Sequence, residues 1–181
     1  MSQLALEVLW KQFGGSIDML AGAVAAWPDN QWSSKKFYYM AYHTAVFLDY
    51  YLTIPPKNFS SPLPYTLTEH AEIPPEAVDD VVPDRLYSKA ELLSYIQESR
   101  FKCKRIISNL TDEQLQAPWI DKSDDLDLTL SGRDALKYSV FEILLYNMRH
   151  VQHHAAQMNL MLRHETGAAP DYVSHASDGL K

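Results

Sequence analysis

Tyr146-Asn-Met-Arg149-His150-Val-Gln-His153-His154-Ala-Ala-Gln157 is the stretch on which the reading of this chain turns. It lies inside the longest run of helical spacing, about Asp134 to Glu165, which as an α-helix would span ~45 Å. Gly167 supplies the C-terminal stop. On a helix, His150 and His154 are four residues and only ~40° apart, so both imidazoles lie on one face about one turn from each other. Tyr146, Asn147, Gln157 and Met161 share that face, giving a mixed polar and apolar stripe that suits a pocket.

Working outward, three more helices are expected. The first, about Gln3 to Ala26, places Leu4, Leu6, Val8, Leu9, Phe13, Ile17, Leu20 and Val24 at helical intervals and ends at Trp27-Pro28. Gly14-Gly15 inside it weakens the helix by ~1 kcal/mol per glycine, so a kink or a close approach is expected there. The second runs from about Ser34 to Leu52, capped by Ser33 or Ser34, with a heavy aromatic load from Phe37 to Tyr51. The third opens at Ser88-Lys-Ala-Glu91, a capping box, and runs to about Asn109. Thr111 to Leu115 reads as one short turn, followed by an acidic loop to Ser131. The expected fold is all-α: a four-helix bundle forming one domain over residues 1–181, with about 168–181 a tail. No strand-like alternation stands out. Pro55-Pro56 and prolines 62, 64, 74, 75 and 83 make a long irregular connection between helices two and three. Connections of this length are usually functional or wrap over a site.

Composition narrows the function classes. The 181 residues carry a net charge of −7 and no obviously basic face, which argues against nucleic acid or an anionic membrane as partner. The acidic runs Asp79–Asp84 and Asp121–Asp127 lack the glycine and terminal glutamate of a calcium loop and read as solvated. Cys103 is the single cysteine, which fits a reducing, cytoplasmic setting. No basic-then-apolar leader and no run of ~18 apolar residues points to secretion or membrane insertion.

Of seven histidines, His70, His164 and His175 fall in a loop, at a helix end and in the tail, where exposed polar roles suffice. His43 differs: Tyr39, Met40, Val46, Phe47 and Tyr50 share its face, so it points to the core. A single inward histidine is ordinarily a satisfied core residue. An inward histidine facing an inward pair is not, because three neutral imidazoles are costly to bury without a shared partner. His43, His150 and His154 are therefore the expected metal ligands, with spacing that suits a metal–nitrogen distance of ~2.0–2.1 Å. His153, three residues from His150, is geometrically able to pair with it. Its flank position makes a supporting or surface role the better reading.

Two segments, Phe37-Tyr-Tyr-Met-Ala-Tyr-His43-Thr-Ala-Val-Phe-Leu-Asp49-Tyr-Tyr-Leu52 and Asn147-Met-Arg-His150-Val-Gln-His153-His154-Ala-Ala-Gln157, resemble the DinB/YfiT-like superfamily of metal-dependent bundle proteins. The helix start at Ser88 and the tail from Gly167 to Tyr172 are also similar. The resemblance implies a four-helix bundle, often a homodimer, in which His43, His150 and His154 hold a divalent ion such as zinc or nickel. One departure is that many members carry Arg-Gly after the histidine pair, where this chain has Ala155-Ala156. Some members are thiol-dependent transferases or isomerases.

Three protein ligands leave a coordination position open, as in catalytic sites. Hydrolysis in the HExxH manner needs a carboxylate beside the first histidine of the pair, where this chain has Val151; Asp49 and Glu142 are the nearest substitutes and neither is well placed. A thiol needs less help. The expected activity is therefore metal-dependent transfer of a low-molecular-weight thiol to a small molecule, with hydrolysis second and a non-catalytic metal- or ligand-binding bundle as the competing class. Tyr50, Tyr146, Asn147 and Gln157 are candidates to line the pocket or simply to pack. Cys103, with no histidine near it in sequence, reads as structural.

Overall fold

The computed structural model describes residues 2–120, 130 and 137–180. The chain is mainly helical: α1 (Gln3–Ala26), α2 (Lys35–Tyr51), α3 (Lys89–Asn109), the short α4 (Asp112–Gln116) and α5 (Val140–Thr166). The helix ends follow local chemistry. Ser2 caps α1 through Ala5 N, and Ser88 with Glu91 forms the expected capping box on α3. Thr111 with Gln114 does the same for α4. Gly167, at φ 75°, ends α5 in the left-handed conformation that glycine adopts without penalty.

The last helix begins later than its spacing suggests. Asp134 lies outside the described residues, and α5 starts at Val140, where Ser139 caps the helix and the Glu142 carboxylate reaches back to Ser139 N at 2.8 Å. The chain just before α5 is held against residues 117–119 by Trp119 N to Tyr138 O and Val140 N to Ala117 O, both 2.9 Å, so residues 138 and 139 are extended rather than helical. The acidic run Asp121–Asp127 also lies outside the described residues.

Helix α1 packs on α3 and α5, and α2 packs on the same two partners. Leu6, Leu9, Trp10, Phe13, Ile17 and Leu20 form the buried stripe of α1. Leu4 and Val8, also in helical register, are 73% and 52% exposed and border an apolar groove with Phe141 and Leu145. Almost every residue of α2 is buried, because the connection after it closes over the side that α3 and α5 leave open.

That connection is more ordered than the prolines suggest. It contains two short antiparallel strands, β1 (Tyr65–Leu67) and β2 (Val81–Pro83), paired with Thr66 opposite Val82, and β2 packs on α2. A strand of three residues is too short for alternation to announce it. The aromatic load of α2 holds the connection down through its hydroxyls: Tyr42 Oη donates to Leu63 O at 2.6 Å and Tyr38 Oη to Arg85 O at 2.8 Å. Trp32 Nε1 donates to Tyr87 O and Trp119 Nε1 to Thr53 O. Each such bond is worth ~1 kcal/mol net, and leaving a buried carbonyl without one costs more.

The tail folds back instead of trailing. Trp10 Nε1 donates to Asp178 O at 2.9 Å, Ala176 N to Lys11 O at 2.8 Å, and Arg100 bridges Asp18 and Asp178 at 2.6 Å each. Gly14 and Gly15 are where it lands. A Cβ on Gly15 would sit 2.9 Å from His175 Cα, and one on Gly14 would sit 2.8 Å from Ala176 Cβ. The glycine pair is thus a close approach, not a kink.

Candidate metal centre

Helix α2 carries His43 inward, and α5 carries His150 and His154 inward one turn apart, as the spacing predicts. The structure brings the three together: one ligand atom from each lies within 4.8 Å of the others, forming a group that could hold a metal ion. His43 Nε2 and His150 Nε2 are 3.0 Å apart. Two nitrogens bound tetrahedrally at ~2.0–2.1 Å would be separated by ~3.3 Å, so the His43–His150 pair is within a few tenths of an ångström of that spacing. His43 and His154 are 7% and 8% exposed, and His150 is half-buried. Phe47 and Tyr51 wall the α2 side, with ring centroids 5.9 and 6.0 Å from that of His150.

The electrostatics favour neutral rings with free lone pairs. Burial, then the neighbouring His43, His154 and His153, push His150 down to about 2 from its ordinary 6.5. Burial and His43 push His154 down to about 4, against a partial upward pull from Gln157. Gln157 Oε1 lies 2.7 Å from His154 Nδ1, so that ring keeps its proton on Nδ1 and presents Nε2 to the centre. Nδ1 of His150 is buried without a hydrogen-bond partner among the described residues. Inward imidazole donors, with His150 and His154 held neutral and the His154 tautomer fixed, suit a divalent transition ion.

The residue that sequence reasoning missed is Asp79. The run Asp79–Asp84 reads as solvated, yet Asp79 Oδ2 lies 3.0 Å from His43 Nδ1 and its side chain is only 29% exposed. The oxygen sits off the axis of the ring N–H, so the contact is electrostatic rather than a directional hydrogen bond. The other carboxylate oxygen accepts from Val81 N at 3.1 Å, which ties it to β2. The only signal in the sequence is the length of the connection, since the contact itself is tertiary. Asp84, in the same run, accepts from Thr66 Oγ1 at 2.8 Å.

The other candidates are placed elsewhere. His153 is exposed and meets His154 edge-on at 5.0 Å between centroids, outside the group of three. Asp49 is taken by Lys102 Nζ at 2.6 Å and Tyr95 Oη at 3.0 Å, tying α2 to α3. Glu142 caps α5. Asn147 Nδ2 donates to Leu48 O at 2.9 Å and joins α5 to α2 beside the centre. Tyr50 packs among Phe47, Tyr51, Phe59 and Trp119. Cys103 is fully buried, and burial pushes its thiol up, away from reactivity. His70, His164 and His175 are exposed. Tyr146 does line a cavity: a groove of about 690 Å³ on the α1–α5 side, whose wall includes His150. No described helix is long and apolar enough to cross a membrane. Comparison of the chain with protein-family models, curated proteins and solved structures finds no match.

Proposed function

We propose that this chain is a metal-dependent four-helix-bundle protein of the DinB/YfiT-like kind, in which His43, His150 and His154 hold a divalent ion, zinc or nickel, and which transfers a low-molecular-weight thiol to a small electrophile. The convergence of three inward imidazoles from two helices carries the reading. Bound there, a divalent ion would lower the pKa of a thiol or water reaching its open position. The chain's own residues do the rest. Gln157 fixes the His154 tautomer, Asp79 favours a proton on His43 Nδ1, and Phe47 and Tyr51 exclude bulk water on the α2 side.

Asp79 also favours a second reading, hydrolysis, because it is a carboxylate beside the centre. Its two oxygens are already engaged by His43 and Val81 N, which suits orientation better than proton abstraction and keeps thiol transfer first. Self-association as a homodimer belongs to the proposal, as does a cytoplasmic setting. The chain's aromatic residues are mostly buried within it, so the apolar groove bordered by Leu4 and Val8 is the better dimer surface.

The test combines elemental analysis of untagged protein with turnover assays. About one transition ion per chain is expected in the wild type and in His153→Ala, and much less in His43→Ala, His150→Ala and His154→Ala. Metal-loaded protein is then assayed with cellular thiols plus a chromogenic electrophile, and separately with esters and amides. Metal-dependent ester hydrolysis without thiol, lost in His150→Ala, would replace transfer with hydrolysis. Metal binding without turnover on either panel would leave a non-catalytic binding protein.

A further inference from the structure

The groove that shares His150 with the centre has a lining of distinct charge. The chain carries 23 acidic against 16 basic residues, yet among the described residues no carboxylate lines this groove. Its polar lining is Arg149 with Gln12, Gln152, His153 and a tyrosine hydroxyl from Tyr172 of the tail, a set rich in hydrogen-bond donors, and Ser16, whose hydroxyl donates to Phe13 O at 2.7 Å. Arg85, Lys89, Arg100, Lys102 and Lys104 each hold a carboxylate. The side chain of Arg149 has no such partner among the described residues. The same holds for Lys11, which with His175 lines a smaller cavity of about 260 Å³ that meets the groove at Gln12, again without a carboxylate. A volume of about 690 Å³ is that of a small-molecule site.

We infer that the α1–α5 groove binds an anionic small molecule, a carboxylate or a phosphate ester, with Arg149 as the principal charge partner and Gln12 and Gln152 as neutral donors. The guanidinium fork matches either oxyanion in a bidentate manner. The tyrosine rings of Tyr146 and Tyr172 and the Met148 side chain give the apolar part of the ligand a surface. This deepens the proposed function by assigning the substrate its charge; it rests on that reading only for the relevance of His150 in the groove wall.

The full chain, stripped of metal, is titrated with 3-phenylpropionate, its neutral amide 3-phenylpropionamide, and phenyl phosphate, followed by amide NMR shifts. At least one anion is expected to bind about tenfold or more tighter than the amide at low salt, with the preference shrinking as salt is raised. The tighter of the two anions identifies the headgroup. Arg149→Gln should abolish the preference, whereas Arg163→Gln, an exposed arginine on α5 outside the groove, should keep it. His154→Ala should also keep it. Equal binding of anions and amide, no binding of any probe in the millimolar range, or a preference surviving Arg149→Gln would overturn the inference, as would its loss in Arg163→Gln or His154→Ala. Failure of metal binding leaves these outcomes unaffected, since every titration uses metal-free protein.

Discussion

Gly15→Ala and Gly22→Ala make a matched pair that isolates the docking of the tail. Both replace a glycine within α1, so both gain the same helix propensity, ~1 kcal/mol. They differ in what the new methyl group meets. At Gly22 the nearest atom is Pro170 Cβ at 3.6 Å, an ordinary contact. At Gly15 the new Cβ meets three backbone atoms of His175 at 2.9, 3.1 and 3.2 Å, well inside the ~3.5–4.0 Å optimum for carbon pairs. Backbone cannot rotate away, so the tail must shift. Overpacking of this kind costs ~1–3 kcal/mol. Full release would forfeit more: the burial of Leu180, ~1.5–3 kcal/mol, and the Ala176 and Trp10 hydrogen bonds at ~1 kcal/mol each. The shifted tail is therefore the cheaper outcome, and Gly15→Ala should be less stable than Gly22→Ala by ~1–3 kcal/mol, a Tm gap of roughly 2–12 °C for a chain of this size. Urea unfolding at constant m-value measures the difference. Removing residues 175–181 completes the cycle, because Gly15→Ala should then become stabilising by ~1 kcal/mol. Equal stability of the two variants in the full chain, or a Gly15→Ala penalty that survives the truncation, would refute the close-approach argument.

Three further outcomes are expected. Asp79→Asn should leave metal stoichiometry intact while weakening affinity by ~10–100-fold, as loss of a partner behind a ligand does; a competition titration against a chelating dye reads it. Acid should destabilise the metal-free protein. Above pH 6.5 His150 and His154 are neutral folded and unfolded, whereas below it the unfolded chain takes up protons that the fold excludes, so stability falls as pH falls toward their folded values of about 2 and 4. Each contributes ~1.4 kcal/mol per pH unit, or ~4 kcal/mol together by pH 5, and a urea midpoint unchanged from pH 7 to 5 would contradict it. Cys103 should resist an aromatic disulfide reagent in the native state and react once urea unfolds the chain; immediate reaction would contradict its burial.

What the sequence discloses and what it hides divide along local and tertiary lines. Helix boundaries decided by adjacent residues are legible: Ser88 with Glu91 sets the start of α3, and Gly167 the end of α5. The inward direction of His43, His150 and His154 follows from periodicity, because each shares its face with apolar neighbours a turn away. The start of α5 was misjudged because Ala117 and Trp119, some twenty residues upstream, hold residues 138 and 139 extended. Asp79 was misjudged for the same reason on a larger scale. A carboxylate among acidic neighbours in a proline-rich connection carries no local mark of the histidine, 36 positions earlier (79 − 43), that it meets. The glycine pair Gly14-Gly15 was visible as an anomaly, but its meaning lay in the tail.

Because one carboxylate oxygen of Asp79 is held by the backbone of β2 and the other faces His43, the hairpin and the imidazole cluster share a thermodynamic account. Any ligand that gains affinity from an ordered Asp79 must, by reciprocity, stabilise the closed hairpin by the same factor. An affinity difference of tenfold between hairpin-closed and hairpin-open chains is ~1.4 kcal/mol, and it would appear as an equal slowing of amide exchange in residues 65–83 when the imidazoles are occupied. Occupancy of the centre would thereby be legible from the surface, in how readily a protease cuts a segment that touches none of the three ring nitrogens at the centre.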